Sequence, residues 1–161
     1  MMYCIIYHSE TGNTRHVAQH LASACGDPYL IEVGDRGDYQ PLTQFLIRCK
    51  RAQGEETTPI EPSTIDVTGF DIIVMGSPVW AWKPTPVINA AIAALKDCEG
   101  KKAVIYATCG SQAGETIEIM RKALEEKGVK VVGDIVFDKK TVRDGKKINE
   151  LIVMVNAAAI A

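Results

Sequence analysis

Residues 5–21, IIYHSETGNTRHVAQHL, constrain the fold more than any other stretch, because an apolar strand, a hydroxyl-rich loop and an amphipathic helix follow one another without a break. Ser9, Thr11, Asn13 and Thr14 place three hydroxyls and one amide within six residues, where the strand hands over to a helix N-terminus. The first N–H groups of a helix lack intrahelical acceptors and carry a partial positive charge, so neutral donors gathered there suit an anion, most simply a phosphate. The ordinary alternative is a plain N-cap, in which one Ser or Thr caps the helix and the rest are solvated. Two standard phosphate loops do not fit. A Walker loop needs G-x-x-x-x-G-K-[ST] and a dinucleotide fingerprint needs three glycines, whereas SETGNT has Gly12 alone and no Lys. What remains is a cup sized for one phosphate monoester, held by hydrogen bonds worth about 1.5–3 kcal/mol each.

The alternation of strand and helix repeats along the chain. Residues 2–8 form a nearly continuous apolar run, as in a strand buried on both faces. Val17, Ala18, Leu21, Ala22 and Cys25 make the stripe of a packed helix that Gly26-Asp27-Pro28 ends. A strand is predicted at 29–33 and a helix at 41–52 with Leu42, Phe45, Leu46 and Cys49 inward; the polar residues 53–66, with Pro59 and Pro62, are expected to be a long surface connection. Another strand is predicted over 70–75, breaking at Gly76 into a loop that runs to Pro86. The remaining elements are a helix over Val87–Lys96, a strand at 102–108, a helix at 114–128, a strand at 129–137 and a last helix at 144–159. Five strands alternating with five helices predict an α/β fold of three layers. It is a doubly wound, five-stranded parallel sheet with helices on both faces, in one domain over residues 1–161. Ligands of such sheets sit beyond the carboxyl ends of the strands, where the loops 9–14, 76–86 and 108–114 meet.

Composition removes several classes of function. A net charge of −2, with no run of basic residues, gives no general attraction for nucleic acid or an anionic membrane. Five widely spaced cysteines without a C-x-x-C pair suit free thiols in a reducing cytoplasm. His8, His16 and His20 lack the Glu or third ligand of a metal site, so no metal is expected and the 16/20 pair reads as solvent-facing helix residues. The N-terminus has no basic region and its apolar run ends at Tyr7, too short for a signal peptide or a membrane span. A cytoplasmic protein follows as the expectation.

The second loop adds a planar element. Trp80 and Trp82 lie in a stretch that Gly76, Pro78, Pro84 and Pro86 keep from being helical, so at least one indole is expected at the strand ends, where a flat ligand can stack. The plain alternative is a tryptophan covering the sheet edge or touching another protein. A phosphate cup and an aromatic wall at one end of one sheet point to a ligand with a phosphate tail and a planar head.

IIYHSETGNT with Ala18, DIIVMGSPVWAWKPTP and the TCGSQAG turn resemble the flavodoxin family, over essentially the whole chain. The resemblance implies strand order 2-1-3-4-5 and noncovalent FMN. By it, Ser9, Thr11, Gly12, Asn13 and Thr14 match the phosphate loop. Ser77, Pro78, Val79, Trp80 and Ala81 match the first flavin loop, with Trp80 stacking. Thr108, Cys109 and Gly110, through to Gly114, match the second. Three departures stand out. TCGSQAG has no aromatic to cover the second ring face. Ala81 stands where Gly is common, at a peptide thought to flip on flavin reduction. The charge of −2 is modest for a family often strongly acidic. The function implied is low-potential electron transfer between redox partner proteins, by a monomer or weak homodimer. The alternative is a small FMN-dependent NAD(P)H quinone or flavin reductase, favoured by the missing aromatic, the modest charge and Lys83, whose charge would favour the two-electron reduced anion if it reaches the flavin. No catalytic acid or base stands out, and Cys109 reads as a small turn residue.

Overall fold

A computed structural model of the chain describes residues 1–26, 28–37 and 44–160, with backbone alone at 44–46 and 48. Five strands, β1 (Tyr3–Tyr7), β2 (Tyr29–Glu32), β3 (Ile72–Trp80), β4 (Lys102–Thr108) and β5 (Lys130–Phe137), run parallel in the order β2-β1-β3-β4-β5. This is the order 2-1-3-4-5 that the sequence resemblance implies. The helices are α1 (Asn13–Ala24), α2 (Gln44–Gln53), α3 (Pro86–Ala93), α4 (Thr116–Glu126) and α5 (Gly145–Ile160). The start of the expected helix at 41–43, the inward placement of Leu42, Phe45 and Leu46, and Asp27 in the stop after α1 lie outside the described residues.

The continuous apolar runs have a direct cause. Successive strand residues point to opposite faces, and both faces of this sheet are covered. Cys4, Ile6, Ile73, Met75 and Ile105 face the α3–α4 layer, where they pack with Val87, Ile88, Met120 and Leu124. Ile5, Tyr7, Val74, Val104 and Tyr106 face α1 and α5, and pack with Val17, Leu21, Leu151 and Val155. Full burial of each large apolar side chain contributes about 1.5–3 kcal/mol, so the central strands anchor both layers. Among the described residues no helix is long and apolar enough to cross a membrane.

Three expectations need correction. β3 does not break at Gly76. It runs on to Trp80 and folds back, antiparallel, onto Lys83–Pro84, with Trp80 opposite Lys83 and Val79 opposite Pro84. β1 ends opposite Gly76, so at Pro78 the strand is paired with β4 alone, and a residue without an N–H is tolerated there. α3 stops at Ala93 instead of Lys96, because Leu95–Lys96 pairs in parallel with Ile65–Asp66. The connection 53–66 is not wholly on the surface: Ile60–Glu61 pairs with Gly34–Asp35, and Thr58, Ile60 and Ile65 are buried.

One close approach fixes the start of α1. Gly76 lies opposite Tyr106 in the sheet, and a Cβ at Gly76 would fall 2.1 Å from the Cζ of Tyr106. The missing side chain lets the buried Tyr106 ring cross β3 and donate its hydroxyl to the carbonyl of Thr14 at 3.0 Å.

Candidate functional site

β1 gives way to the first loop at His8, whose N–H donates to the carbonyl of Gly76 at 3.3 Å. His8 is only 4% exposed, and its Nδ1 lies 3.0 Å from the carbonyl of Val33. A carbonyl only accepts, so Nδ1 carries the proton and Nε2 faces Glu10, 3.6 Å away. Gly12 is the N-cap of α1, with φ of 93°, and no side chain caps the helix. A left-handed turn of this kind favours glycine. Among the described residues the N–H groups of Thr11, Gly12, Asn13 and Thr14 meet no acceptor, whereas the next N–H, of Arg15, donates to Ser9 Oγ at 3.2 Å. A plain Ser or Thr N-cap is therefore not what forms here. Four N–H groups, beside the exposed Thr11 and the half-buried Asn13, are left as donors for an anion.

The hydroxyls of Ser9 and Thr14 also brace the loop. Thr14 is 1% exposed and shares a 2.7 Å hydrogen bond with the hydroxyl of Thr108, which joins the first loop to the end of β4. Arg15 turns away, toward β2. Its Nε donates to Glu32 Oε2 at 3.0 Å, its Nη2 pairs with Glu32 Oε1, and the Tyr7 hydroxyl donates to Glu32 Oε2 at 3.2 Å. The hydrogen bonds from Arg15 hold the Glu32 carboxyl below its ordinary range. Burial, with the Glu32 charge second, pushes the Tyr7 phenol up to about 12.

The second loop is a two-residue turn. Ala81 and Trp82, at φ of 49° and 65°, are both left-handed, the pattern of a type I′ hairpin turn usually built from Asn-Gly. Such backbone costs a residue with a Cβ about 1–2 kcal/mol, so the surroundings must hold it. They do so from the third loop. Gly114, itself at φ of 56°, lies so close that a Cβ there would fall 2.4 Å from Trp82 Cβ, and the Glu115 N–H donates to the Trp82 carbonyl at 2.8 Å. Trp82 is 61% exposed. Trp80 is half-buried, and its ring stands edge-on to His8 at 5.8 Å between centroids and 82° between planes. Pro78, Val79 and Ala81 are half-buried beside it, while Ser77 is fully buried, donating to the Pro78 carbonyl at 2.7 Å and accepting from the Thr85 N–H at 3.2 Å. Lys83 does not stand free to approach a flavin: its Nζ lies 3.5 Å from Glu55 and 3.9 Å from Glu115.

In the third loop Thr108 is buried, and the Cys109 N–H donates to the Phe137 carbonyl at 2.8 Å. Burial, and then the Asp138 charge, raise the Cys109 thiol, which leaves it a poor nucleophile. Gly110 and Gly114 are exposed, and no aromatic residue lies in 108–114. The Lys139 side chain passes over Gly110, with its Cε 3.7 Å from where a Cβ would stand. Three residues at this site escape a reading of the sequence: His8, Tyr106 and Lys139. Of these only Lys139 had a readable signal, since it follows β5 at the strand end where the three loops gather. Among the described residues no group of three or more His, Cys, Asp or Glu is arranged for a metal ion.

The model of the NADPH-dependent FMN reductase family matches residues 5–142, a span that takes in all three loops. No curated protein matches the sequence. Among solved structures, a Bacteroides eggerthii protein provisionally classed as a flavoprotein superposes with a TM-score of 0.74 at 21% identity, over 96% of this chain and 98% of its own. A Lactobacillus acidophilus flavoprotein in complex with FMN gives a TM-score of 0.65 at 22% identity, over 91% and 99%. The two-electron reduced flavodoxin of Megasphaera elsdenii gives 0.58 at 19%, over 99% and 100%. Likenesses at this identity establish the flavodoxin-like fold.

Proposed function

Because this chain belongs to the NADPH-dependent FMN reductase family, we propose that it is an FMN-dependent oxidoreductase that takes a hydride from NADPH and delivers two electrons to a planar acceptor such as a quinone. The balanced reaction is NADPH, one proton and a quinone going to NADP⁺ and the quinol. The observation that carries this reading is the family match across residues 5–142. Interprotein electron transfer, the first reading of the sequence, has a likeness of fold behind it but not of family, so its reductase alternative is the better supported.

The residues of the three loops suit FMN. A phosphate monoester brings an acceptor to each unpaired N–H of Thr11, Gly12, Asn13 and Thr14, at the positive end of α1. Asn13 and Thr11 add side-chain donors. Trp80 offers a planar wall beside the phosphate, and the buried His8 beneath it fixes the tilt of the indole. We assign Thr108, Cys109, Gly110 and Gly114 to the other side of the ring, as the resemblance implies. This loop has no aromatic residue of its own, which suits a nicotinamide or a quinone lying against the ring, and the exposed Trp82 packs on its Gly114. FMN, when bound, supplies the hydride-accepting centre.

The test is steady-state oxidation of NADPH by the FMN-loaded protein with a soluble quinone. Turnover well above that of the same concentration of free FMN is expected. Turnover no greater than that of free FMN overturns the reductase reading.

A further inference from the structure

The turn between β5 and α5 carries cations to which no role has yet been given. Lys139, Lys140 and Arg143 fall within five residues, and all three are exposed. The turn that presents them is rigid. Asp138 Oδ1 accepts from the N–H of Lys140 and Thr141, each at 2.9 Å, and from the Thr141 hydroxyl at 3.0 Å, while Val142 is buried in the layer beneath α1 and α5. The two acidic residues of the turn are thus occupied with backbone, since Asp144 Oδ1 likewise accepts from the Lys146 N–H at 3.0 Å. Ion pairs among the described residues use Arg15, Arg36, Arg51, Lys83, Arg121 and His8, and none uses Lys139, Lys140 or Arg143.

These cations are placed relative to the loops, not scattered. At one end of the turn Lys139 passes over Gly110 of the third loop. At the other end Arg143 Nη1 approaches His16 Nδ1 at 3.5 Å, one helical turn beyond the Gly12 cap of α1. His16 in turn packs against His20, with ring centroids 4.2 Å apart. A guanidinium only donates, so His16 Nδ1 accepts from Arg143 and the imidazole proton sits on Nε2; that N–H and the remaining guanidinium N–H groups are donors that an anion can bridge. The cup at 9–14 already provides for one phosphate monoester through neutral donors. A second, cationic group on the rim fits a second phosphate.

We propose that Arg143, His16 and Lys139 form a second phosphate subsite on the rim of the cofactor site, which holds the phosphomonoester of the second ligand. Two ligands of the proposed reaction carry such a group, the 2′-phosphate of NADPH and the phosphate of free FMN as an acceptor, and the identity of the ligand rests on the reductase reading. The subsite itself does not, because its charge and geometry are independent of turnover.

Two measurements separate the subsite from the reaction. The first follows the His16 ring resonances of the FMN-loaded protein by NMR during titration with 2′,5′-ADP or with additional FMN, against adenosine and riboflavin as controls. A saturable shift with either phosphorylated ligand, lost in R143Q, is expected; no shift, or the same shift with the controls, overturns the subsite even if NADPH is turned over. The second compares kcat/KM for NADPH against NADH, and for FMN against riboflavin as acceptor, in the wild type and R143Q. Loss of one guanidinium contact to a phosphate should lower one of these ratios roughly tenfold to a hundredfold. A fall in the first identifies the NADPH phosphate, a fall in the second identifies the acceptor phosphate, and unchanged ratios in a protein that turns over exclude both. If no nicotinamide is oxidised at all, the reductase reading fails and the NMR titration still decides the subsite.

Discussion

The hydroxyls of Thr14 and Thr108 meet at 2.7 Å with both side chains buried, so the first turn of α1 is tied to the carboxyl end of β4. Replacing either with Val leaves the other hydroxyl buried without its partner, at a cost of roughly 1–3 kcal/mol. The double replacement removes both polar groups and should cost clearly less than the two single changes added together. Urea unfolding of the four proteins measures the coupling. A coupling near zero would show that the pair does not act as one unit.

Gly76→Ala should be among the most damaging single changes in the sheet, because its Cβ would fall 2.1 Å from Tyr106 Cζ in a close-packed layer. Overpacking of this kind costs about 1–3 kcal/mol or more. Tyr106→Phe should cost only about 1 kcal/mol, the hydrogen bond to Thr14. It should not rescue Gly76→Ala, because the clash is with ring carbons as well as the hydroxyl. Thermal melts of the two single variants and the double variant check this, and full rescue would contradict the geometry.

The turn at Ala81 and Trp82 holds two residues in backbone that glycine prefers. Ala81→Gly should stabilise the apoprotein by roughly 1 kcal/mol, the relieved left-handed penalty less the added freedom of the unfolded chain. Gly114→Ala should act oppositely, since its Cβ meets Trp82 and its own φ is 56°. Displacing the Trp82 turn from the third loop should also weaken FMN binding, read by quenching of flavin fluorescence.

Acid stability should report the Glu32 pair. Glu32 titrates below its ordinary value of 4.5, chiefly because of the hydrogen bonds from Arg15, so the pair contributes fully above that value. The contribution is lost as the pH falls through the lower, folded-state pKa. Glu32→Gln should therefore be less stable than the wild type at neutral pH, and the two curves should converge in acid. Curves that stay parallel down to low pH would show that the pair adds nothing. Both groups are partly exposed, so the gap should be small and should shrink in high salt.

The layers of the fold could be read from the chain because each depends on local pattern: a continuous apolar run where a strand is covered on both faces, a stripe where a helix is covered on one. Strand order came only from the resemblance. Gly76-Ser77-Pro78 carries every local sign of a break and yet continues β3, since what extends the strand is pairing with β4, and what requires the glycine is a tyrosine thirty positions later. Ala81-Trp82 likewise contradicts its own turn preference and is held by Gly114 and Glu115. The two-residue strands at Ile60–Glu61 and Ile65–Asp66 are too short to show any period. At the site the hydroxyl-rich loop ahead of α1 is legible as a motif, and the structure leaves the N–H groups of residues 11–14 without acceptors. Which hydroxyls brace it and which face outward depends on Thr108 and Arg15, whose directions no spacing reveals.

The extension of β3 to Trp80 gives the aromatic wall a phase. On a strand the facing of a side chain is set by counting, so Trp80 reaches His8 because it lies an even number of residues beyond Gly76, within a segment held by β4 as far as Pro78 and by Lys83–Pro84 beyond it. A flexible loop could absorb an extra residue by bulging. Here, losing or gaining one residue between Gly76 and Trp80 would carry the indole to the opposite face and bring a neighbour into its place, while the layers on either side could remain packed. The length of this five-residue stretch is therefore as much a part of the site as the tryptophan it delivers.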